Sequence, residues 1–318
     1  MRAQTAIASP PLKQYMTPMG RSMESTPILS EYIKLLATGG LEIERDQVTI
    51  TKDDVLVAVD LQQASMKGQR YYVREVENVV KTTNSLLEKF HKIIATKDYH
   101  SRNNCSFTEN GGTYDAYHVR GEADSRFNPD FEAKLREVLP RKDLHVVFKG
   151  LFDDTNSFGA FGYDEDYASQ RLAFSGQTCP LHHTGGFELG NFHPDQDLDG
   201  PSVEQPVESQ KGLSTMEVIG PQEKDNIKPN LFVCGIVSDF CVLDTLVMAK
   251  KSGRFQEVHF VVDASRPAYE PRRGLEFRER YPHWREPKYG SGFMLNPTLL
   301  ARNMKDLGVK MIMSKDIV

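Results

Sequence analysis

The chain has 318 residues, of which 39% are hydrophobic and 26% charged, and its formal net charge is −5. That length spans one large domain or two ordinary ones, and the negative balance excludes the basic field that would attract nucleic acid. No apolar stretch approaches the roughly 18 residues needed to cross a bilayer, so no membrane partner is expected.

The four cysteines, Cys105, Cys179, Cys234 and Cys241, form no CxxC pair and no dense framework. They read as free thiols in a reducing compartment, and the chain as cytoplasmic. The first 23 residues carry Arg2, Lys13 and Arg21 but no acidic residue, and Pro10 and Pro11 interrupt any long amphipathic helix. Residues 1–30 are therefore expected as a disordered extension, with a mitochondrial transit peptide as the alternative.

From residue 31 to 318 the pattern is that of one domain, and strand and helix signals alternate from about residue 55. VLVAVDLQ (55–62) is a continuous apolar run ending in a carboxylate, and Val73, Val76, Val80 and Leu87 follow at helical spacing. IIATKD ends at Asp98, DFEAKLREVL (130–139) is helical and closed by Pro140, and HVVFKG (145–150) is the next strand. NLFVCGI, VHFVVDAS and VKMIMS supply three more strands, separated by a helix stopped at Gly253 and a last helix near Pro297–Leu307. Continuous apolar strands between amphipathic helices predict an α/β fold, a three-layer α/β/α sandwich with a six-stranded, mainly parallel sheet. Residues 175 to about 228, rich in Gly, Pro, Asp, Gln and His, read as an insertion.

In such sheets, sites form beyond the carboxyl ends of the strands. Asp60, Asp98 and Lys149 end the first three strands, and Cys241 follows the fourth at the start of a helix. A cysteine at a helix N-terminus is expected to have a lowered pKa and to act as a nucleophile. A carboxylate beside it can take its proton, a lysine can stabilise developing negative charge, and backbone N–H groups around Ser238 and Cys241 can receive an oxyanion. That set suits acyl transfer from an amide through a thioester. Asp98 and His100 are two apart on an extended segment and face the same way, so they can share a metal. His118 is the nearest candidate third ligand downstream, with His182 and His183 as the fallback.

Together these segments resemble the isochorismatase-like cysteine hydrolases, and among them the nicotinamidases, over about Val55 to Ile317 apart from the insertion. The segments are Asp60-Leu-Gln62, Asp98-Tyr-His100 through Ser106-Phe107, Lys149-Gly150 with NSFGAF, Gly235 through Cys241-Val242, and Asp263-Ala-Ser-Arg266. The resemblance implies a homo-oligomer that hydrolyses a small carboxamide, nicotinamide first. Cys241 is then the nucleophile, Asp60 its base and Lys149 the charge stabiliser. Asp98, His100 and His118 hold a divalent metal, zinc or alternatively manganese or iron. Gln62, Val237, Ser238 and Phe240 meet the substrate, and a cis peptide falls at Val237–Ser238.

The chain departs from the family pattern in three places. Tyr114-Asp-Ala-Tyr-His118 replaces a Trp-Pro-containing stretch, Asn104 replaces a second histidine, and Ala64-Ser65 stands where a phenylalanine is usual. The missing aromatic wall is then expected from Tyr99, Tyr117 or Phe240. Rival readings are a ureido or carbamoyl amidohydrolase of the same superfamily, a silent binding protein, and a vinyl ether hydrolase.

Overall fold

The computed structural model describes residues 27–112, 114–169, 179–190, 198, 211–220, 228–268 and 297–318. The expected disordered extension falls almost wholly outside these residues, and helix α1 (Ile28–Thr38) opens the described chain.

The centre is one sheet. Its strands are β1 (Val55–Val59), β2 (Lys92–Asp98), β3 (Asp143–Lys149), β4 (Phe187–Leu189), β5 (Lys211–Ser214), β6 (Leu231–Ile236), β7 (Val258–Arg266) and β8 (Lys310–Ile312). Their spatial order is β5-β4-β3-β2-β1-β6-β7-β8, so the sheet has eight strands, not the six expected. The two extra strands lie in the 175–228 stretch read as an insertion. They pair antiparallel, β4 to β3 and β5 to β4, on an otherwise parallel sheet. All five residues of β1 and all six of β6 are buried, as their unbroken apolar runs require of strands covered on both faces.

Helices α2 (Val76–Lys89) and α3 (Pro129–Val138) cover one face; α1, α5 (Cys241–Ser252) and α6 (Pro297–Asp306) cover the other. A short helix α4 (Thr215–Ile219) follows β5. Val76, Val79, Leu86 and Leu135 pack under the first face, and Tyr32, Leu36, Leu246 and Met304 under the second. Each fully buried aliphatic side chain of this kind contributes about 1.5–3 kcal/mol. Helix α3 begins where Asn128 caps it, accepting from the Asp130 and Phe131 N–H groups, with Pro129 at the first helical position.

The topology positions the site. From β1 the chain steps outward to β2 and β3 on one side, and β6, β7 and β8 lie on the other. β1 is therefore the switch point, and the crevice opens beyond its carboxyl end. Gly235, with φ of 104°, makes the close approach there possible, because a Cβ at this residue would collide with the Val59 backbone.

Cys105 and Cys179 form a disulfide across 74 residues, which corrects the expectation of four free thiols; Cys234 and Cys241 are free and buried. Their spacing carried no signal because the fold, not the sequence, brings the two sulfurs together. Among the described residues, no helix is long and apolar enough to cross a membrane.

Candidate active site

Four ionisable side chains from four strand ends meet in one buried cluster. The Lys149 ammonium donates to Asp60 Oδ2 at 2.7 Å, to Asp98 Oδ1 at 2.8 Å and to the Phe158 carbonyl at 2.6 Å. Those three bonds use all its protons. The other Asp60 oxygen accepts from the Thr96 hydroxyl at 2.6 Å. Asp60 itself sits at φ of 50°, a conformation costly for a side-chain-bearing residue and concentrated at functional sites. Donor atoms of Asp60, Asp98 and Cys241 lie within 4.8 Å of one another.

The electrostatics follow from burial and from two carboxylates facing one ammonium. Burial would lower the Lys149 pKa, but Asp60 and Asp98 override it and hold the ammonium charged. Burial also opposes the Asp98 carboxylate; Lys149 and His118 overcome this and hold it well below the usual range. For Asp60, burial wins over Lys149 and raises the carboxyl, and Asp98 adds to the rise. The Cys241 thiol is raised well above its ordinary value, first by burial and then by Asp60 and Asp98, against the pull of Lys149. This corrects the expected lowered thiol. The helix N-terminus is there, but a desolvated sulfur beside two carboxylates stays protonated, hydrogen-bonded to Asp60.

Next to the cluster, Asp98 Oδ2 faces two imidazoles, with His118 Nδ1 at 3.5 Å and His100 Nε2 at 3.9 Å. His100 Nδ1 lies 3.1 Å from the Gly150 carbonyl, an acceptor that requires the proton on Nδ1 and leaves the Nε2 lone pair free. Burial pushes His100 down to about 4, so the ring is neutral. His100 Nε2 and both His118 ring nitrogens are buried with no hydrogen-bond partner among the described residues. Ligands at about 2.0–2.1 Å around a tetrahedral ion stand about 3.3 Å apart, close to this spacing. The donor set therefore fits a divalent metal between Asp98 Oδ2, His100 and His118. The Asp60–Asp98–Cys241 triad does not fit one as well, because Lys149 already bridges its two carboxylates.

Gly150 completes the arrangement. Its φ is 62°, and a Cβ there would collide with the His100 ring. The Lys-Gly pair thus places a cation in the cluster and clears room for the imidazole.

A cavity of ≈ 130 Å³ opens over Cys241, Asp60, Asp98 and His118. An apolar cavity of about 150 Å³ accepts one benzene ring, so the volume suits a single small aromatic ring. Its aromatic walls include Tyr71, Tyr117, Phe158 and Phe240. Tyr71 and Tyr117 face each other at 5.4 Å between ring centres, and the Tyr71 hydroxyl donates to the Asp115 carbonyl at 2.8 Å. Arg70 pairs with Asp115 at the surface beside them.

Solved structures with similar folds include nicotinamidases. The chain matches PnC1 from L. infantum in complex with nicotinate at 21% identity and a TM-score of 0.51, over 86% of this chain and 98% of that one. It matches the Acinetobacter baumanii nicotinamidase pyrazinamidase at 19% identity and a TM-score of 0.52, over 84% and 99%. The yeast nicotinamidase Pnc1p bound to the inhibitor nicotinaldehyde matches at 13% identity and a TM-score of 0.50, over 82% and 99%. The chain has the isochorismatase-like hydrolase fold. No protein-family model and no curated protein sequence matches it.

Within this isochorismatase-like fold, several expected residues sit elsewhere. Gln62 does not line the cavity: its amide donates to the Asp98 and Ser125 carbonyls at 2.8 Å each, and its oxygen accepts from the Asp98 N–H. It holds the Asp98 backbone in place. Ser238 is fully buried, its N–H bonded to the Arg266 carbonyl and its hydroxyl to Tyr32, so neither reaches a substrate. Tyr99 packs edge-on against Phe148 and lines no part of the cavity, whereas Tyr117, Phe240 and Val237 do. The cis peptide is Ile236–Val237, one residue before the position expected. His182 stacks on Phe152, bonds to Thr184 and lines no part of the cavity. Asn104 organises its loop by donating to the Phe152 and Thr155 carbonyls and accepting from Ser106.

Other residues escaped the sequence reading. Thr96 orients Asp60, and its only signal was a polar residue facing inward two positions before Asp98. Asp244, on the buried Cys241–Ala249 stretch of α5, accepts from the Tyr163 and Tyr167 hydroxyls; Tyr163 in turn accepts from the Phe158 and Gly159 N–H groups. That chain of bonds fixes the Phe158 carbonyl against Lys149. A carboxylate within the mostly apolar run CVLDTLVMA was the available signal.

Proposed function

We propose that this chain is a nicotinamidase-type amidohydrolase that converts a small aromatic carboxamide to its acid and ammonia. The observation that carries the reading is the buried Asp60–Lys149–Cys241 cluster at the floor of a ring-sized cavity, with unpartnered imidazole nitrogens at one side.

Cys241 rests as a thiol, and its proton passes to Asp60 as the sulfur attacks the amide carbon. Burial raises the Asp60 carboxyl, which makes it a stronger proton acceptor than an ordinary carboxylate, and it raises the thiol as well. Lys149 keeps its charge throughout and prevents two carboxylates from sitting unbalanced beside the sulfur. The tetrahedral oxyanion falls to a backbone donor. The Phe240 and Val242 N–H groups bond to the Val237 carbonyl, while the Cys241 N–H meets no backbone carbonyl among the described residues. One such donor is typically worth about 3 kcal/mol. Asp60 returns the proton to the leaving nitrogen, ammonia departs, and a thioester remains. Asp60 then takes a proton from water, which attacks the thioester, and the thiol re-forms as the acid leaves.

Asp98, His100 and His118 would hold the divalent metal. When bound, it supplies an electrophilic anchor for a lone pair on the substrate ring. The tyrosines of the cavity and Phe240 stack against the ring and exclude water.

The test is ammonia release from nicotinamide and pyrazinamide by purified protein supplied with zinc, manganese or iron. Turnover abolished by Cys241→Ala supports the reading, and no ammonia from either substrate with any of the metals sinks it. Release from a ureido compound instead would favour the superfamily's other amidohydrolases.

A further inference from the structure

We propose that Tyr32, on helix α1, is a positioning residue that braces the nucleophile turn Val237–Cys241 through Ser238. The kinetic part of this inference rests on the amidohydrolase reading.

Helix α5 begins at Cys241, and its N-cap residue, Phe240, makes no side-chain cap bond. The turn that aims the sulfur therefore lacks the local device that usually holds a helix start. Besides the local bonds of the Phe240 and Val242 N–H groups to the Val237 carbonyl, bonds from distant parts of the chain hold it. The Ser238 hydroxyl donates to the Tyr32 hydroxyl at 3.0 Å, and the Ser238 N–H donates to the Arg266 carbonyl at 2.8 Å. Arg266 Nε donates to Glu75 Oε2 at 3.0 Å, and Glu75 Oε1 accepts from the Ile28 N–H at 2.9 Å. Ile28 is the first residue of α1, the helix that carries Tyr32. The bonds thus close a ring that leaves α1 through Tyr32 and returns to it through Glu75. A further bond, from the Ala268 N–H to Asp239 Oδ1 at 2.8 Å, ties the turn to the chain after β7.

The ring is held in place because all its members but the half-buried Glu75 are buried. Tyr32 and Arg266 are 2% exposed and Ser238 is 0%. Burial, with Asp239 nearby, holds the Tyr32 phenol protonated. Cys241 lies three residues beyond Ser238, so a shift of the serine passes directly to the sulfur. Misplacing a reacting atom by about 1 Å can cost about a hundredfold in rate. Two buried hydroxyls can also pair for no reason beyond mutual satisfaction. That role predicts a change in stability alone.

The experiment compares Tyr32→Phe, Ser238→Ala and the double variant, each loaded with metal. Three readouts are taken: kcat and KM for carboxamide hydrolysis, amide deuterium exchange over residues 237–242, and melting temperature. The brace predicts that each single variant lowers kcat by about tenfold with KM changed by less than about twofold. It also predicts faster exchange in the turn, and a double variant no slower than the worse single one. Unchanged exchange in both variants, or faster exchange with unchanged kcat, overturns it. So do two kcat effects that simply multiply. If the wild type hydrolyses no carboxamide, the functional reading falls, and the exchange comparison alone decides the brace.

Discussion

Replacing Asp60 by asparagine should separate sulfur reactivity from turnover. The substitution keeps the shape of the side chain and removes one of two buried carboxylates that raise the Cys241 thiol. The thiol also loses the hydrogen bond to a carboxylate that favours its protonated form. What remains near the sulfur is Lys149, paired with Asp98 at 2.8 Å and with the Phe158 carbonyl at 2.6 Å. The sign is therefore clear: the thiol pKa falls in the variant, and the thiolate fraction at neutral pH rises about tenfold for each unit of the fall. Turnover moves the opposite way, because nothing accepts the thiol proton or returns it to the leaving nitrogen. Loss of a general base typically costs about 10²–10⁴-fold in kcat. The assay is iodoacetamide labelling at pH 7, read by mass on the Cys241 peptide, beside ammonia release from the same preparation. Faster labelling with kcat reduced at least a hundredfold is expected. If Asp60→Asn slowed labelling, or retained more than about a tenth of the wild-type kcat, the assignment of Asp60 as the proton acceptor would be wrong.

Gly150→Ala should lower the zinc retained after dialysis, measured by elemental analysis, together with activity, because the added methyl meets the His100 ring and the residue is held at a φ of 62°. His259 stacks on Phe232 at 4.5 Å and is pushed down to about 4, mainly by burial. A histidine lowered in the folded state makes stability fall as pH drops from about 6.5 toward its folded value, because the unfolded chain binds the extra proton. Denaturant titrations should show that slope, on the order of 1 kcal/mol per pH unit within the window for each such histidine, and His259→Leu should reduce it while His100 keeps its own share. Cys105→Ser should lower unfolding free energy in denaturant by about 2–4 kcal/mol, the usual worth of a cross-link over a loop this long; an unchanged midpoint would mean the disulfide carries no stability.

Much of the fold was legible because buried parallel strands must be apolar without interruption. VLVAV, LFVCGI and VHFVV announced β1, β6 and β7 on that ground, and strand ends in such a sheet converge, which brought Asp60, Asp98, Lys149 and Cys241 to one place. β4 and β5 were not legible. A strand of three residues leaves no periodicity, and Phe187 pairs with Phe148 only because β3 offers a free edge. The state of the Cys241 thiol was also hidden. It depends on how deep the sulfur lies and on two carboxylates from residues 60 and 98, and the local cue, a helix start, pointed the wrong way. Gln62 was expected as a substrate contact only on the resemblance of Asp60-Leu-Gln62 to the hydrolase family's segment. Its role as a clamp on Asp98 needs the Ser125 carbonyl, which arrives from 63 residues away. Tyr117 and Phe240 were among the three candidates for the aromatic wall, but Tyr71, on a loop far upstream, carried no pattern to mark that its ring would meet Tyr117.

The full occupation of Lys149 has one more consequence. Its ammonium is 0% exposed, and its carboxylate partners are nearly as deep. Dissolved ions damp attraction between charges at the surface, where the Debye length is about 8 Å at physiological ionic strength, and they reach buried pairs far less. Molar sodium chloride should therefore loosen the Arg70–Asp115 contact at the rim, whose side chains are 63% and 49% exposed, and leave the internal trio untouched. Within the site, salt sensitivity then belongs to the entrance of the cavity and not to the buried cluster.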